Sequence, residues 1–149
     1  MLKDFIKSNK LTAKVFETQG KVQSSAKAAE ELNDADSVAK SILLMDSNDE
    51  PILVILLGKD KIDFKKIKEI LNISDVQLAD EDEVFAITGY RVGGVPPISI
   101  HGVKTLIDKA VVGKEEVVCG GGDSSHLMRI KTQEILDSVE DIIVEDVKR

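Results

Sequence analysis

The sequence predicts a mixed α/β (α+β) fold, in which a β-sheet of mixed strand direction carries helices packed against it. Stretches of strand-like alternation interleave along the chain with stretches of helical periodicity, as in folds that layer helices on a sheet. Several strands are separated by turns too short to hold a crossover helix, so a purely parallel sheet does not fit. A length of 149 residues suits one core, and no repeat or Pro- or Ser-rich linker marks a boundary, so residues 1–149 are expected to form one domain.

Residues 2–9 read as a short helix and Ala13–Glu17 as a strand closed by Gln19-Gly20. The hydroxyls of Ser24-Ser25 suit the cap of an alanine-rich helix through Leu32. Val38–Met45 and Ile52–Leu57 flank the turn-forming Asp46–Pro51 and read as a hairpin. Their near-continuous aliphatic character predicts central strands covered on both faces. Asp63 is placed to cap a helix whose Phe64, Ile67, Ile70 and Leu71 share one face, with the lysines Lys65, Lys66 and Lys68 largely toward solvent. Val76–Leu78 is a short strand, and Asp80 with Glu83 forms a capping box opening a helix that stops at Gly89. After a glycine- and proline-rich loop come a strand near 98–106, a turn around Asp108 and a strand Glu116–Cys119. The loop Gly120–Asp123, a strand His126–Ile130, a helix opened by Thr132 and a terminal strand Ile142–Val144 complete the chain.

The formal net charge of −7 argues against a surface that grips DNA, or a long stretch of RNA, through many phosphates. Any RNA contact must be local or presented by a partner. Apolar runs fall far short of the roughly 20 residues that cross a bilayer. The N-terminus lacks the features of a secretory signal, so no membrane association and a cytoplasmic location are expected. The lone Cys119 cannot form an internal disulfide and reads as a buried strand residue rather than a nucleophile. His101, His126 and Cys119 lack metal-ligand spacing, and neither metal nor cofactor is expected.

Three segments carry candidate chemistry. In Tyr90-Arg91-Val92-Gly93-Gly94-Val95-Pro96-Pro97, paired glycines admit a ligand to the backbone and two prolines stiffen the end of the segment, leaving exposed amides fit to stabilise an oxyanion. A plain connecting loop uses the same residues. Lys40 begins an apolar strand, where its ammonium needs an anion or a cavity unless it snorkels to water from the strand edge. In Gly120-Gly121-Gly122-Asp123-Ser124-Ser125-His126, backbone again lies open to a ligand. A Ser-His-Asp triad there lacks a nucleophile elbow, and His126 alone is as readily a hydrogen-bonded strand residue. The lysines from Lys61 to Lys68 are more simply a solvated helix face than an RNA contact.

The order Ser24-Ser25-Ala26, Lys40-Ser41-Ile42-Leu43-Leu44, Leu78-Ala79-Asp80 with Glu83-Val84, Gly89-Tyr90, Gly93-Gly94-Val95-Pro96-Pro97 and Gly120-Gly121-Gly122 resembles the YbaK/EbsC family over residues 20–145. That family includes the editing insertion of bacterial prolyl-tRNA synthetases. The resemblance implies a strongly curved, barrel-like mixed sheet with helices outside, and hydrolysis of mischarged aminoacyl-tRNA, with Cys- or Ala-tRNA(Pro) as the expected substrate. It places the essential lysine on Lys40 and the substrate loop on Gly93, Gly94, Val95 and Pro96, with Tyr90, Gly120, Gly121, Gly122, Asp123 and Ser124 as further substrate contacts. An acidic position and a histidine of the synthetase insertions fall on Asp108 and His126. Asp123-Ser124-Ser125-His126 replaces the arginine-containing step of many stand-alone members and looks more like the insertions. The implied partners are an aminoacylated tRNA acceptor end and, as a candidate, prolyl-tRNA synthetase. The competing class is a non-catalytic module that holds tRNA ends or a synthetase.

Overall fold

A computed structural model describes residues 1–18 and 35–149 of the chain. Helix α1 (Leu2–Ser8) and strand β1 (Lys14–Glu17) lead, and a 3-10 turn (Ala35–Ser37) precedes β2 (Ala39–Asp46) and β3 (Pro51–Leu57). Then come α2 (Phe64–Leu71), β4 (Val76–Leu78), α3 (Glu81–Thr88) and β5 (Lys104–Asp108). The chain continues through α4 (Lys109–Val112), β6 (Glu116–Gly120), β7 (His126–Lys131), α5 (Thr132–Ser138) and β8 (Ile142–Glu145). The helix expected from Ser24-Ser25 through Leu32 lies outside the described residues.

The mixed α/β class stands, with the strands shared between two sheets. Five strands run in the order β4-β2-β3-β5-β8 and three in the order β1-β7-β6. The hairpin forms as expected: β2 pairs antiparallel with β3, Ile42 facing Val54. β3 pairs parallel with β5, and β5 with β8, which makes the larger sheet mixed. The curvature implied by the resemblance takes the form of a seam between the sheets, where Val38 makes a parallel bridge to Val118. No closed barrel forms among the described residues.

The aliphatic runs of β2 and β3 are explained by burial on two sides. Leu43, Leu53, Ile55 and Leu57 pack into a cluster with Tyr90, Val95, Cys119 and Met128. Leu44, Ile52, Val54 and Leu56 pack with Ile62, Ile67 and Val147, joined by Phe64 and Ile70 of α2. Asp63 caps α2 by accepting from the amides of Lys65 and Lys66, and the Asp80–Glu83 capping box opens α3, which Gly89 closes in the left-handed conformation.

The strand expected near 98–106 begins only at Lys104. Pro97 has no amide to donate to a ladder, and Ser99 and Gly102 adopt φ of 67° and 72°, so the chain turns twice before it extends. The turn expected at Asp108 is the N-cap of the one-turn helix α4.

Candidate functional site

Lys40 stands at the seam of the two sheets. On β2 it falls between Val38, which packs with Val118, Leu127 and Phe16, and Ile42, which packs on the α2 side. The bridge Val38–Val118 brings the start of β2 alongside β6, and two residues beyond it on each strand are Lys40 and Gly120. The Lys40 ammonium turns inward instead of snorkelling outward. It donates to the carbonyls of Gly58 at 3.1 Å and Asp60 at 2.6 Å. Burial pushes its pKa below the ordinary lysine value; the charge of Asp60 works against that and the charge of Lys61 adds to it. Two carbonyls orient the cation without neutralising it, and the third donor of the ammonium has no acceptor among the described residues.

The glycines are spent on close packing between two loops. A Cβ on Gly94 would lie 2.5 Å from the Cα of Asp123, and one on Gly120 would lie 2.2 Å from the carbonyl oxygen of Val95. Gly121 meets the backbone of His126 and Leu127 in the same way, at 2.6 Å. The amide of Gly122 donates to the Gly94 carbonyl at 2.9 Å, tying the loops together. This corrects the expectation of an open loop of exposed amides: Gly94, Val95, Pro96 and Pro97 are all buried, and the Gly94 amide is already given to the Arg91 carbonyl. The amides of Gly93 and Val95 have no acceptor among the described residues. Gly93 is half-buried, and its φ of 97° needs a glycine.

Beyond the packed glycines lies a cleft of about 350 Å³ whose lining includes Leu2, Val15, Tyr90, Gly122, Asp123 and His126. His126 Nδ1 and Asp123 Oδ1 are 2.7 Å apart. The same oxygen accepts from the Ser125 amide at 2.8 Å. The hydrogen bond to His126 holds the Asp123 carboxyl below the usual carboxylate range, partly offset by burial. No serine hydroxyl reaches the imidazole among the described residues, so the Ser-His-Asp arrangement reduces to an Asp-His pair. Tyr90 is buried and donates its hydroxyl to Ser99 Oγ at 2.8 Å, forming the floor. Ser124 lines an adjoining cleft of about 600 Å³ together with Arg91 and Val92 of the glycine-proline segment, and with Glu81 and Phe85, which sequence reasoning did not single out. Their signal was faint, since Phe85 and Arg91 are six positions apart and meet only because α3 ends between them at Gly89.

Asp108 belongs elsewhere. It is fully buried, accepting from the Ala110 amide at 3.0 Å, the Val147 amide at 2.9 Å and Lys148 Nζ at 3.3 Å. Those partners explain its burial as an anchor for α4 and the C-terminal segment, and they leave no face for a substrate. The resemblance implies a catalytic role for Asp108, and the structure places it in this buried anchor. Cys119 is buried as expected, and burial raises its thiol pKa well above the ordinary cysteine range. No group of three or more His, Cys, Asp or Glu side chains fit to hold a metal occurs among the described residues. No helix among them is long and apolar enough to cross a membrane.

Residues 19–138 match the family described as the aminoacyl-tRNA editing domain. The chain is 32% identical over 99 residues to the proline–tRNA ligase of Halalkalibacterium halodurans, covering 66% of this chain and 17% of that enzyme. It is 31% identical over 93 residues to that of Bacillus subtilis, covering 62% and 16%. The chain thus spans about one sixth of the length of these curated relatives. Among solved structures, a hypothetical protein superposes with a TM-score of 0.91 at 26% identity over 99% of both chains. A candidate trans-editing enzyme for prolyl tRNA synthetase superposes with a TM-score of 0.86 at 23% identity, over 99% of this chain and 94% of that one. With the family model matched over residues 19–138, most of the chain, this chain belongs to the aminoacyl-tRNA editing domain family, in the group of YbaK and the prolyl-tRNA synthetase editing insertions.

Proposed function

We propose that the chain is a cytoplasmic deacylase acting in trans, which hydrolyses the ester linking a wrong amino acid, alanine or cysteine, to tRNA for proline. The observation that carries this reading is the Lys40 ammonium, half-buried at the seam beside Gly120, bonded to two carbonyls and to no carboxylate among the described residues. A cation so held favours an anionic or strongly polar ligand.

In the reaction, a water oxygen attacks the ester carbonyl carbon and the carbonyl electron pair moves onto oxygen. Collapse of the tetrahedral species breaks the bond to the ribose oxygen, which leaves with the proton lost by the water, the neighbouring ribose hydroxyl relaying it. Lys40 anchors the terminal nucleotide through a phosphate or the ester region and does not attack. The amides of Gly93 and Val95 are the candidate oxyanion donors, replacing Gly94, whose amide is already used. His126, held by Asp123, lines the smaller cleft that would receive the aminoacyl group, where selection between side chains would take place.

The test incubates purified protein, without synthetase, with Ala-, Cys-, Ser- and Pro-charged tRNA. The expected outcome is release of free alanine or cysteine at substoichiometric protein, with Lys40→Ala slower by roughly 100-fold or more at an unchanged melting temperature. Protection of the ester by wild type would make the chain a binding module, and full activity of Lys40→Ala would remove that residue from the mechanism.

A further inference from the structure

The 600 Å³ cleft next to the aminoacyl cleft has an apolar and basic wall in a chain of net charge −7. Phe85 and Val92 are exposed apolar side chains, 44% and 54% accessible, and the Arg91 guanidinium lies 4.2 Å from the centroid of the Phe85 ring. An aromatic ring under a guanidinium holds that group flat and leaves its outer face open for a second planar partner. The wall is poorly suited to phosphate, because Arg91 is the only basic side chain among the described residues of its lining, while Glu81 and Asp123 contribute carboxylates. A stacking plane and carboxylates in the lining of one cleft suit a nucleobase with an exocyclic amino group, since a carboxylate accepts from such a donor. Both clefts are lined by Gly89, Tyr90, Gly122 and Asp123, so a ligand in one abuts a ligand in the other. A volume near 600 Å³ falls within the range of small-ligand sites.

We propose that the Phe85–Arg91 pair is a stacking platform for an unpaired, amino-bearing nucleobase at the acceptor end, adenine or cytosine, with Glu81 as the acceptor for its amino group. The proposal rests on the deacylase reading for the identity of the strand. The platform would separate the two parts of the substrate, the base on the Arg91 side of the packed glycines and the amino acid on the His126 side. Phe85 acts through Arg91 as a positioning residue, and Arg91 and Glu81 are the groups in contact.

The test uses uncharged hairpin RNAs ending in single-stranded CCA and an otherwise identical set with abasic sugars at the last two positions. Each is titrated to millimolar concentration while the backbone amide resonances of Gly89 and Gly122, from the lining of the cleft, are followed. Wild type should bind the base-bearing RNA at least five- to tenfold more tightly than the abasic one, as base stacking generally supplies. Arg91→Lys, which keeps the charge and loses the plane, should erase that difference. Phe85→Leu should reduce it, and both exposed-site variants should melt like wild type. Equal binding of the two RNAs by wild type, no response at millimolar RNA, or an Arg91→Lys protein that still prefers bases would each overturn the platform. Deacylation is assayed in parallel on charged tRNA. Hydrolysis with base-blind binding removes the platform and leaves the deacylase, whereas base-dependent binding without hydrolysis does the reverse.

Discussion

Two places in this molecule hold a charged side chain against the core, and they treat it in opposite ways. In the C-terminal clasp, the Asp108 carboxylate is met by two amides and the Lys148 ammonium, while Lys66 ties Asp146 at 2.9 Å and the Lys148 carbonyl at 2.7 Å. Opposite charges meet there, and each Asp108 oxygen has a partner. At the seam, among the described residues, Lys40 has carbonyl dipoles and no carboxylate, and its neighbour Ser41 keeps a buried hydroxyl with no partner. Saturation marks a group whose work is done on folding, and an incomplete shell marks one that awaits a ligand. The two places also touch. The carbonyls that hold Lys40 belong to the loop after β3, and the clasp pins the continuation of that loop through Arg149 to the Lys61 carbonyl, Asp63 to the Val147 carbonyl and the bridge Ile62–Lys148.

The comparison breaks most visibly at the saturated place. Asp108→Ala strands the Ala110 and Val147 amides and leaves the Lys148 ammonium only Asp146, and should cost about 3 kcal/mol, as breaking a buried pair does. Chemical denaturation would show this as a fall in midpoint. Deacylation per folded molecule should change far less than in Lys40→Ala, and an Asp108→Ala protein that melts normally but is inactive would return Asp108 to the catalytic group. Next in size is Gly120→Ala, where the new methyl meets the Val95 carbonyl oxygen. The atoms it meets are all backbone, so the clash has no flexible side chain to absorb it, and a loss of about 2–3 kcal/mol together with the activity is expected. Gly113→Ala, whose Cβ would meet nothing closer than 3.6 Å, is the control.

Most of the fold was legible because its signals are local. The Asp63 cap, the Asp80–Glu83 box and the Gly89 stop each depend on residues within a turn of one another, and the hairpin on a turn between two aliphatic runs. What stayed hidden depends on partners far along the chain. Nothing near Asp108 in sequence announces Val147 and Lys148, 39 and 40 residues away. The glycines read as openings for a ligand because their neighbours in space, Asp123 over Gly94 and Val95 over Gly120, come from the other loop. Lys40 was legible as a cation out of place, but the carbonyls that hold it, 18 and 20 residues on, were not.

A smaller effect of opposite sign is expected at the incomplete place. Lys40→Met removes a cation whose burial is unfavourable, and should raise stability by on the order of 1 kcal/mol while abolishing deacylation. The sign follows from the lowered folded pKa of Lys40. The charged form is penalised in the folded protein, so the penalty is full below the folded pKa and fades as pH rises from there to the unfolded value. The gap between Lys40→Met and wild type should therefore narrow in thermal melts taken toward pH 10–11, where the reference lysine titrates at about 10.4. A wild type more stable than Lys40→Met at neutral pH would show that the two carbonyls outweigh desolvation, and the contrast with the clasp would fail.

The smallest effect belongs to the Asp123–His126 pair, whose aspartate side chain is 60% exposed. The hydrogen bond from His126 lowers the folded pKa of Asp123. The contact therefore adds stability that is present above the unfolded carboxylate value near 3.9 and lost as pH falls through the lower folded value. Exposure limits it to a few tenths of a kcal/mol, roughly that of a surface pair. Asp36 and Asp146 titrate in the same acid range, both lowered by lysine partners, so the informative quantity is the difference between wild type and Asp123→Asn at each pH. That difference should shrink as pH falls below about 4. If it stays flat to pH 2, the Asp123 carboxylate contributes nothing through its charge, and the imidazole is held by the backbone turn alone.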